Sequence, residues 1–134
     1  MIDREDSIQF DGATLARLRE IRVVEIDTTS RTGGTHRAKI WIVADERHAY
    51  VRSWRGGRGR WYRELRDHPT GALLIGDDRI PIRAVAAADP ATIEVVSYLL
   101  EAKYGRTSRA STQSMLLPET LPTTIRLEPM QPHG

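Results

Sequence analysis

"IRVVEIDTTSRTGGTHRAKIWIVA", residues 21–44, decides the architecture. Its first nine residues are rich in β-branched types and read as a strand over 21–29. "SRTGGTHR" then supplies turn chemistry, because Gly33 and Gly34 admit positive φ at little cost. "AKIWIVA", residues 38–44, returns as a second strand whose one charge is Lys39. Asp45, Glu46 and Arg47 make a tight connection to "HAYVRSW", residues 48–54, a third strand. Three strands so closely connected predict an antiparallel meander.

Outward from this stretch, strands and helices do not alternate regularly. "DGATLARLRE", residues 11–20, reads as a short helix capped by Asp11 or Thr14, with Leu15 and Leu18 on one face. "RWYRELRDHP", residues 60–69, is a second helix stopped by Pro69. Trp61 and Leu65 share a face there, and Arg60–Glu64 and Arg63–Asp67 are spaced to pair on the exposed side. Residues 71–76 and 79–87 form a hairpin around Asp77 and Asp78, and Pro81 argues for an edge or a bulge. "DPATIEVVSYLLEAKYG" is the longest helix, with Asp89 as N-cap, Pro90 at its first position and Gly105 at its end. A polar connection over 106–119 leads to a last strand at 123–129. About six strands with inserted helices make an α+β fold on an antiparallel sheet large enough to curl into a small barrel.

Composition agrees with a folded chain. The 134 residues are 40% hydrophobic and 28% charged, which predicts one domain over 1–134 with residues 1–10 and 130–134 as flexible ends. The absence of cysteine excludes disulfides and thiolate metal sites. "MIDREDSIQF" is acidic and lacks an apolar h-region, and no run approaches the roughly 20 apolar residues of a membrane span. A soluble cytoplasmic protein is the expectation. His36, His48, His68 and His133 lack ligand spacing, so no metal site is expected. Neither a nucleophile elbow nor a Walker loop nor a dinucleotide fingerprint occurs.

The chemistry-bearing stretch is "HAYVRSWRGGRGRWYREL", residues 48–65. Six arginines and one acid, Glu64, lie between Arg52 and Arg66. As a phosphate site, Gly56, Gly57 and Gly59 would let backbone N–H groups approach an anion. Arg52, Arg55 and Arg60 would supply charge beside a helix N-terminus. As a nucleic-acid surface, Trp54, Trp61 and Tyr62 could stack on bases, although the net charge of +2 and a single "RGGRG" argue against it. A third reading buries Trp61 and Leu65 in the core and leaves the arginines solvated.

"IDTTSRTGGTHRAKIWIV", followed by "AYVRSWRGGRGRWYREL" and "HP", resembles the split-barrel oxidoreductases related to pyridoxamine-phosphate oxidase. Within that superfamily the chain is most similar to the deazaflavin-dependent nitroreductase branch, with its W-Y-x-N-L before a proline. "IW", "YVRS", "WYR" and "KYG" resemble, more narrowly, an uncharacterised bacterial family of the same superfamily. The resemblance implies a split β-barrel, a homodimer, and a reductase using FMN or a deazaflavin whose phosphate lies against the first turn and the glycine loop. Arg31 and Arg37 then match the basic residues of the turn. Arg52, Ser53, Gly56 and Gly57 match the strand end and loop, and Trp61 and Tyr62 match the W-Y pair. Arg55 and Arg60 are additional candidates for the phosphate, and Trp54 or Trp61 for walling the ring. Trp41 reads as a core residue in preference to a third ring-walling tryptophan, and Tyr62 and Tyr104 as packed aromatics that could also donate to substrate. This sequence departs from the family in carrying Thr32 and Thr35 for common lysines and Glu64 for the asparagine. Hydride chemistry would belong to the cofactor, with no side chain required as a proton-transfer catalyst. The alternative is a non-catalytic domain of the same fold that binds an anionic ligand or acts as a structural dimer. Membrane and nucleic-acid partners are not expected.

Overall fold

A computed structural model describes residues 9–130 of the chain. β1 (Val24–Thr29) and β2 (Thr35–Ile40) form the expected hairpin, antiparallel from Thr29↔Thr35 to Val24↔Ile40. Ser30 closes the turn by donating its N–H to Gly34 O at 2.8 Å, and Gly33 takes a φ of 92° that favours glycine. The second strand then departs from expectation. It breaks at Trp41 and Ile42 and resumes as β3 (Val43–Ala44), which pairs with β4 (Ala49–Val51) and not with β1. The meander read from residues 21–54 is therefore two hairpins.

β5 (Thr70–Ile75), β6 (Asp78–Ala86) and β7 (Ile125–Pro129) complete an antiparallel sheet in the order β2-β1-β5-β6-β7-β4-β3. β2 and β3 stand at its two ends, yet only Trp41 and Ile42 separate them in the chain. Three residue steps span about 10 Å at most, so the sheet must curl until its ends approach. The result is an incompletely closed barrel with a seam beside β2. Pro81 lies in a strand paired on both sides, opposite Ala72, and not at an edge. It is tolerated one residue beyond Ile82↔Pro129, where the β7 ladder ends.

The helices behave largely as their caps dictate. α1 (Gly12–Glu20) starts where the Asp11 carboxylate accepts Thr14 N–H at 2.7 Å, and it buries Leu15 and Leu18. α2 (Arg60–Asp67) buries Leu65 against the barrel, and α3 (Pro90–Tyr104) starts from Asp89, which accepts Thr92 N–H at 3.0 Å. The polar connection contains a helix that composition alone does not announce, α4 (Arg109–Ser114). Ile26, Ile42, Leu73, Ile75, Ile82 and Leu127 fill the barrel interior. A second cluster, with Val96, Leu100, Tyr104 and Met115, seats α3 against β3 and β4. The expected flexible ends lie mostly outside the described residues, but Phe10 is buried in the core and Met130 N–H donates to Pro81 O at 3.0 Å.

Candidate functional site

The seam holds a cleft of about 740 Å³. One wall is β2 from His36 to Ile40, continued by Trp41. The other is the segment after β4, Arg52 to Arg55, with Arg60 and Trp61 of α2 and Ser111 and Ser114 of α4. All three tryptophans of the chain, Trp41, Trp54 and Trp61, line it. So do Arg37, Lys39, Arg52, Arg55 and Arg60, while among the described residues no aspartate or glutamate does. A chain with a net charge of only +2 thus concentrates its positive field on one concavity.

The cations differ in how they are held. Arg52 is 2% exposed. Its Nε donates to Thr124 Oγ1 at 2.9 Å, Nη1 to Ser97 Oγ at 3.0 Å and Met115 O at 2.9 Å, and Nη2 to Ile93 O at 3.2 Å. Every one of these partners is neutral. Burial pulls the guanidinium down to about 10, with no carboxylate to offset it. Arg52 therefore ties the seam to α3, to the end of α4 and to Thr124 just before β7, and leaves an uncompensated charge under the cleft.

Arg37 is committed elsewhere: Nε and Nη2 hold the Asp27 carboxylate at 2.8 and 3.2 Å, and Arg79 Nη1 holds it at 2.6 Å. The Arg37 hydrogen bond keeps Asp27 below the usual carboxylate range against the opposing effect of burial. Lys39, Arg55 and Arg60 are exposed and have no carboxylate partner among the described residues. Arg55 lies over the Trp54 ring at 5.0 Å.

The glycine loop is built mainly for its own backbone. Ser53 Oγ donates to Gly56 O at 2.8 Å, and Ser53 N–H donates to Thr123 Oγ1 at 3.0 Å. Gly56 has a φ of 65°, and a Cβ there would come within 3.0 Å of Glu119 O. Gly57 is open to solvent, and with Gly56, Trp54, Arg55, Arg58 and Glu119 it lines a second groove adjoining the cleft.

Eight of the site candidates read from sequence come together at the seam: Arg37, Arg52, Ser53, Trp54, Arg55, Gly59, Arg60 and Trp61. Arg31 does not line the cleft; it lies in the β1–β2 turn. Tyr62 also lies outside it, edge-on to Trp61 with centroids 6.5 Å apart and packed against the core. Tyr104 is fully buried and donates its hydroxyl to Arg22 O at 2.7 Å, so it is a packed aromatic. Trp41 is both things at once: it stacks on Tyr104 at 3.9 Å and faces the cleft.

Among the described residues, neither Arg60–Glu64 nor Arg63–Asp67 forms. Glu64 turns inward, accepting Thr28 O–H at 2.6 Å and meeting His36 Nδ1 at 2.8 Å. The register that sets Thr28 opposite His36 brings both under α2, and i,i+4 spacing cannot reveal that. His36, Lys39 and the α4 serines are among the cleft residues that sequence reasoning missed. Only Lys39, a lone charge in an apolar strand, left a signal.

A family profile described as "Uncharacterized protein conserved in bacteria (DUF2255)" matches residues 14–127. No curated protein sequence matches the chain. Among solved structures, the heme storage protein HutZ from Vibrio cholerae is similar at 16% identity and a TM-score of 0.62, over 90% of each chain. A nimC/nimA family protein from Clostridium acetobutylicum aligns at 14% identity and a TM-score of 0.61, over 97% of this chain and 87% of its own. A Listeria innocua protein, provisionally described as a pyridoxamine 5'-phosphate oxidase, aligns at 18% identity and a TM-score of 0.57, over 88% and 90%. At these identities the likeness establishes the split-barrel fold.

Proposed function

The chain belongs to the bacterial family DUF2255, and on that premise we propose that it is a flavin- or deazaflavin-dependent reductase-like protein that holds its cofactor in the barrel seam. The observation that carries this reading is the cleft itself, where three tryptophans and five basic side chains meet without one acid among the described residues. The buried Arg52 charge tests the fit. A guanidinium desolvated among neutral oxygens is stabilised by an anion lying above it, and a flavin phosphate is one. Lys39, Arg55 and Arg60 would take that phosphate, because their donors are not spent on carboxylates. Trp54 and Trp61 would wall the ring and exclude water from it. The bound cofactor would supply hydride transfer, and the protein's part is to bind, orient and shield. The seam along β2, a strand paired on one side only, is where a second copy would complete a homodimer.

A second reading, a non-catalytic split barrel that binds an anionic ligand, draws on Arg37, Arg52 and Ser53. Their polar groups already serve the protein, so the fold keeps its seam intact with no chemistry performed there.

Both readings meet one experiment. The absorption spectrum of the purified protein is recorded, and FMN and a deazaflavin coenzyme are then titrated while tryptophan emission is followed. All three emitters line the cleft, so saturable micromolar quenching is expected, and it should weaken at least about tenfold in a Lys39→Ala/Arg60→Ala double variant. Absence of quenching by both coenzymes would remove the flavin reading. Binding without hydride transfer from the reduced coenzyme to any acceptor would leave the second.

A further inference from the structure

We infer that His36 is an anion-binding residue of the cleft that takes up a proton as the ligand enters. The inference deepens the reading of the cleft as an anion site and does not depend on that anion being a flavin.

Geometry fixes which nitrogen is available. Glu64 Oε1 accepts the Thr28 hydroxyl at 2.6 Å, and Oε2 lies 2.8 Å from His36 Nδ1. A carboxylate has no proton to give, so Nδ1 carries the hydrogen and donates it. Nε2 is left as the basic nitrogen. Among the described residues it has no hydrogen-bond partner, and the half-exposed ring lines the cleft. The Glu64 side chain behind it is only 13% exposed, so its charge is weakly screened. A carboxylate on one ring nitrogen fixes the orientation of the other, the usual arrangement of a histidine that works through its second nitrogen.

The charges around the ring oppose one another. Glu64 on α2 favours the imidazolium. Arg60 on α2, Arg37 and Lys39 on β2, and Arg52 and Arg55 after β4 all disfavour it. Asp27 on β1 is already neutralised by Arg37 and Arg79, and α4 brings only the uncharged Ala110, Ser111 and Ser114. An anion in the cleft offsets the cations and sets negative charge before Nε2, so Glu64 behind and the ligand in front then both favour the second proton. Affinity for the anion rises as pH falls through the range in which His36 takes up that proton, by up to about tenfold per pH unit for one linked proton.

Sulfate is the first probe, since it stays a dianion across the titration, and FMN is the second. The His36 ring resonances, assigned by their loss in His36→Gln, are followed against pH in the full chain alone and with each anion. An upward move of the midpoint by about one unit with sulfate is expected. The pH slope of sulfate affinity should also be flattened in His36→Gln, with an unchanged thermal transition. Glu64→Gln, which keeps a hydrogen-bonding group but no charge, should lower the midpoint in both states. If sulfate shifts the midpoint while FMN does not bind, the flavin reading fails and the role of His36 stands. If FMN binds without moving the midpoint, or His36→Gln keeps the wild-type pH slope, the role of His36 is overturned. No shift with either anion overturns it as well.

Discussion

Arg52 and Arg60 are both arginines of one short loop–helix stretch, but they have opposite parts to play. Removing Arg52 leaves Thr124, Ser97 and two carbonyls without their donor in a buried setting. Unmade buried hydrogen bonds are costly, so Arg52→Ala should cost about 3 kcal/mol, read as a lower urea midpoint. Any loss of ligand binding in that variant would be confounded by the loss of fold. Lys39→Ala and Arg60→Ala, at exposed positions, should stay within about 0.5 kcal/mol of the native stability. An Arg52→Ala protein as stable as the native one would show that the buried fork is dispensable. From sequence alone the two arginines look equivalent, because burial is decided by segments more than 40 residues away in the chain.

At the scale of elements, Asp27 ties three strands together: it sits on β1 and holds Arg37 of β2 and Arg79 of β6. Its folded-state pKa is lowered, first by the Arg37 hydrogen bond. An unfolded aspartate titrates near about 3.9. The contribution of this carboxylate is therefore present above that value and is lost as pH falls through its lower folded value. Asp27→Asn should accordingly flatten the loss of stability on acidification below about pH 4, measured by urea melts across that range. An unchanged acid limb would mean that the ion pairs contribute nothing.

The helices and the β5–β6 hairpin were legible because caps and turns are local signals: Asp11, Asp89 and Pro90 stand where the helices begin, and Gly76 takes a φ of 59° in the turn. The break between β2 and β3 was not. Trp41 and Ile42 continue the apolar pattern of a strand, but the chain bends there. Tyr104 holds the bend, accepting Ile42 N–H at 3.3 Å and stacking on Trp41. Burial pushes the Tyr104 phenol up to about 12, so it remains an O–H donor throughout the neutral range.

For the molecule as a whole, the charge distribution matters more than the total. Exposed cations with no carboxylate partner among the described residues should make binding of FMN at this cleft sensitive to ionic strength, with about a tenfold rise in salt weakening it by roughly tenfold or less. The much steeper dependence of a chain that releases many counterions from a nucleic acid would instead revive the stacking-surface reading of Trp54 and Trp61. A fluorescence titration at several salt concentrations separates the two.

The α+β class, the β1–β2 and β5–β6 hairpins, three of the four α-helices among the described residues and the gathering of arginine beside tryptophan follow from the sequence by itself. These depend on periodicity, caps and turn residues, and on interactions within a few residues of one another. The tertiary structure alone decided that β2 and β3 sit at opposite ends of one curled sheet, and that a cleft opens between β2 and the segment after β4. It also decided which arginines are buried, which are spent on Asp27 and which face the cleft with no carboxylate partner among the described residues, and it set Glu64 behind His36. Those outcomes depend on strand order and on the path of the chain across the barrel, which bring together residues whose separation in sequence carries no local signal.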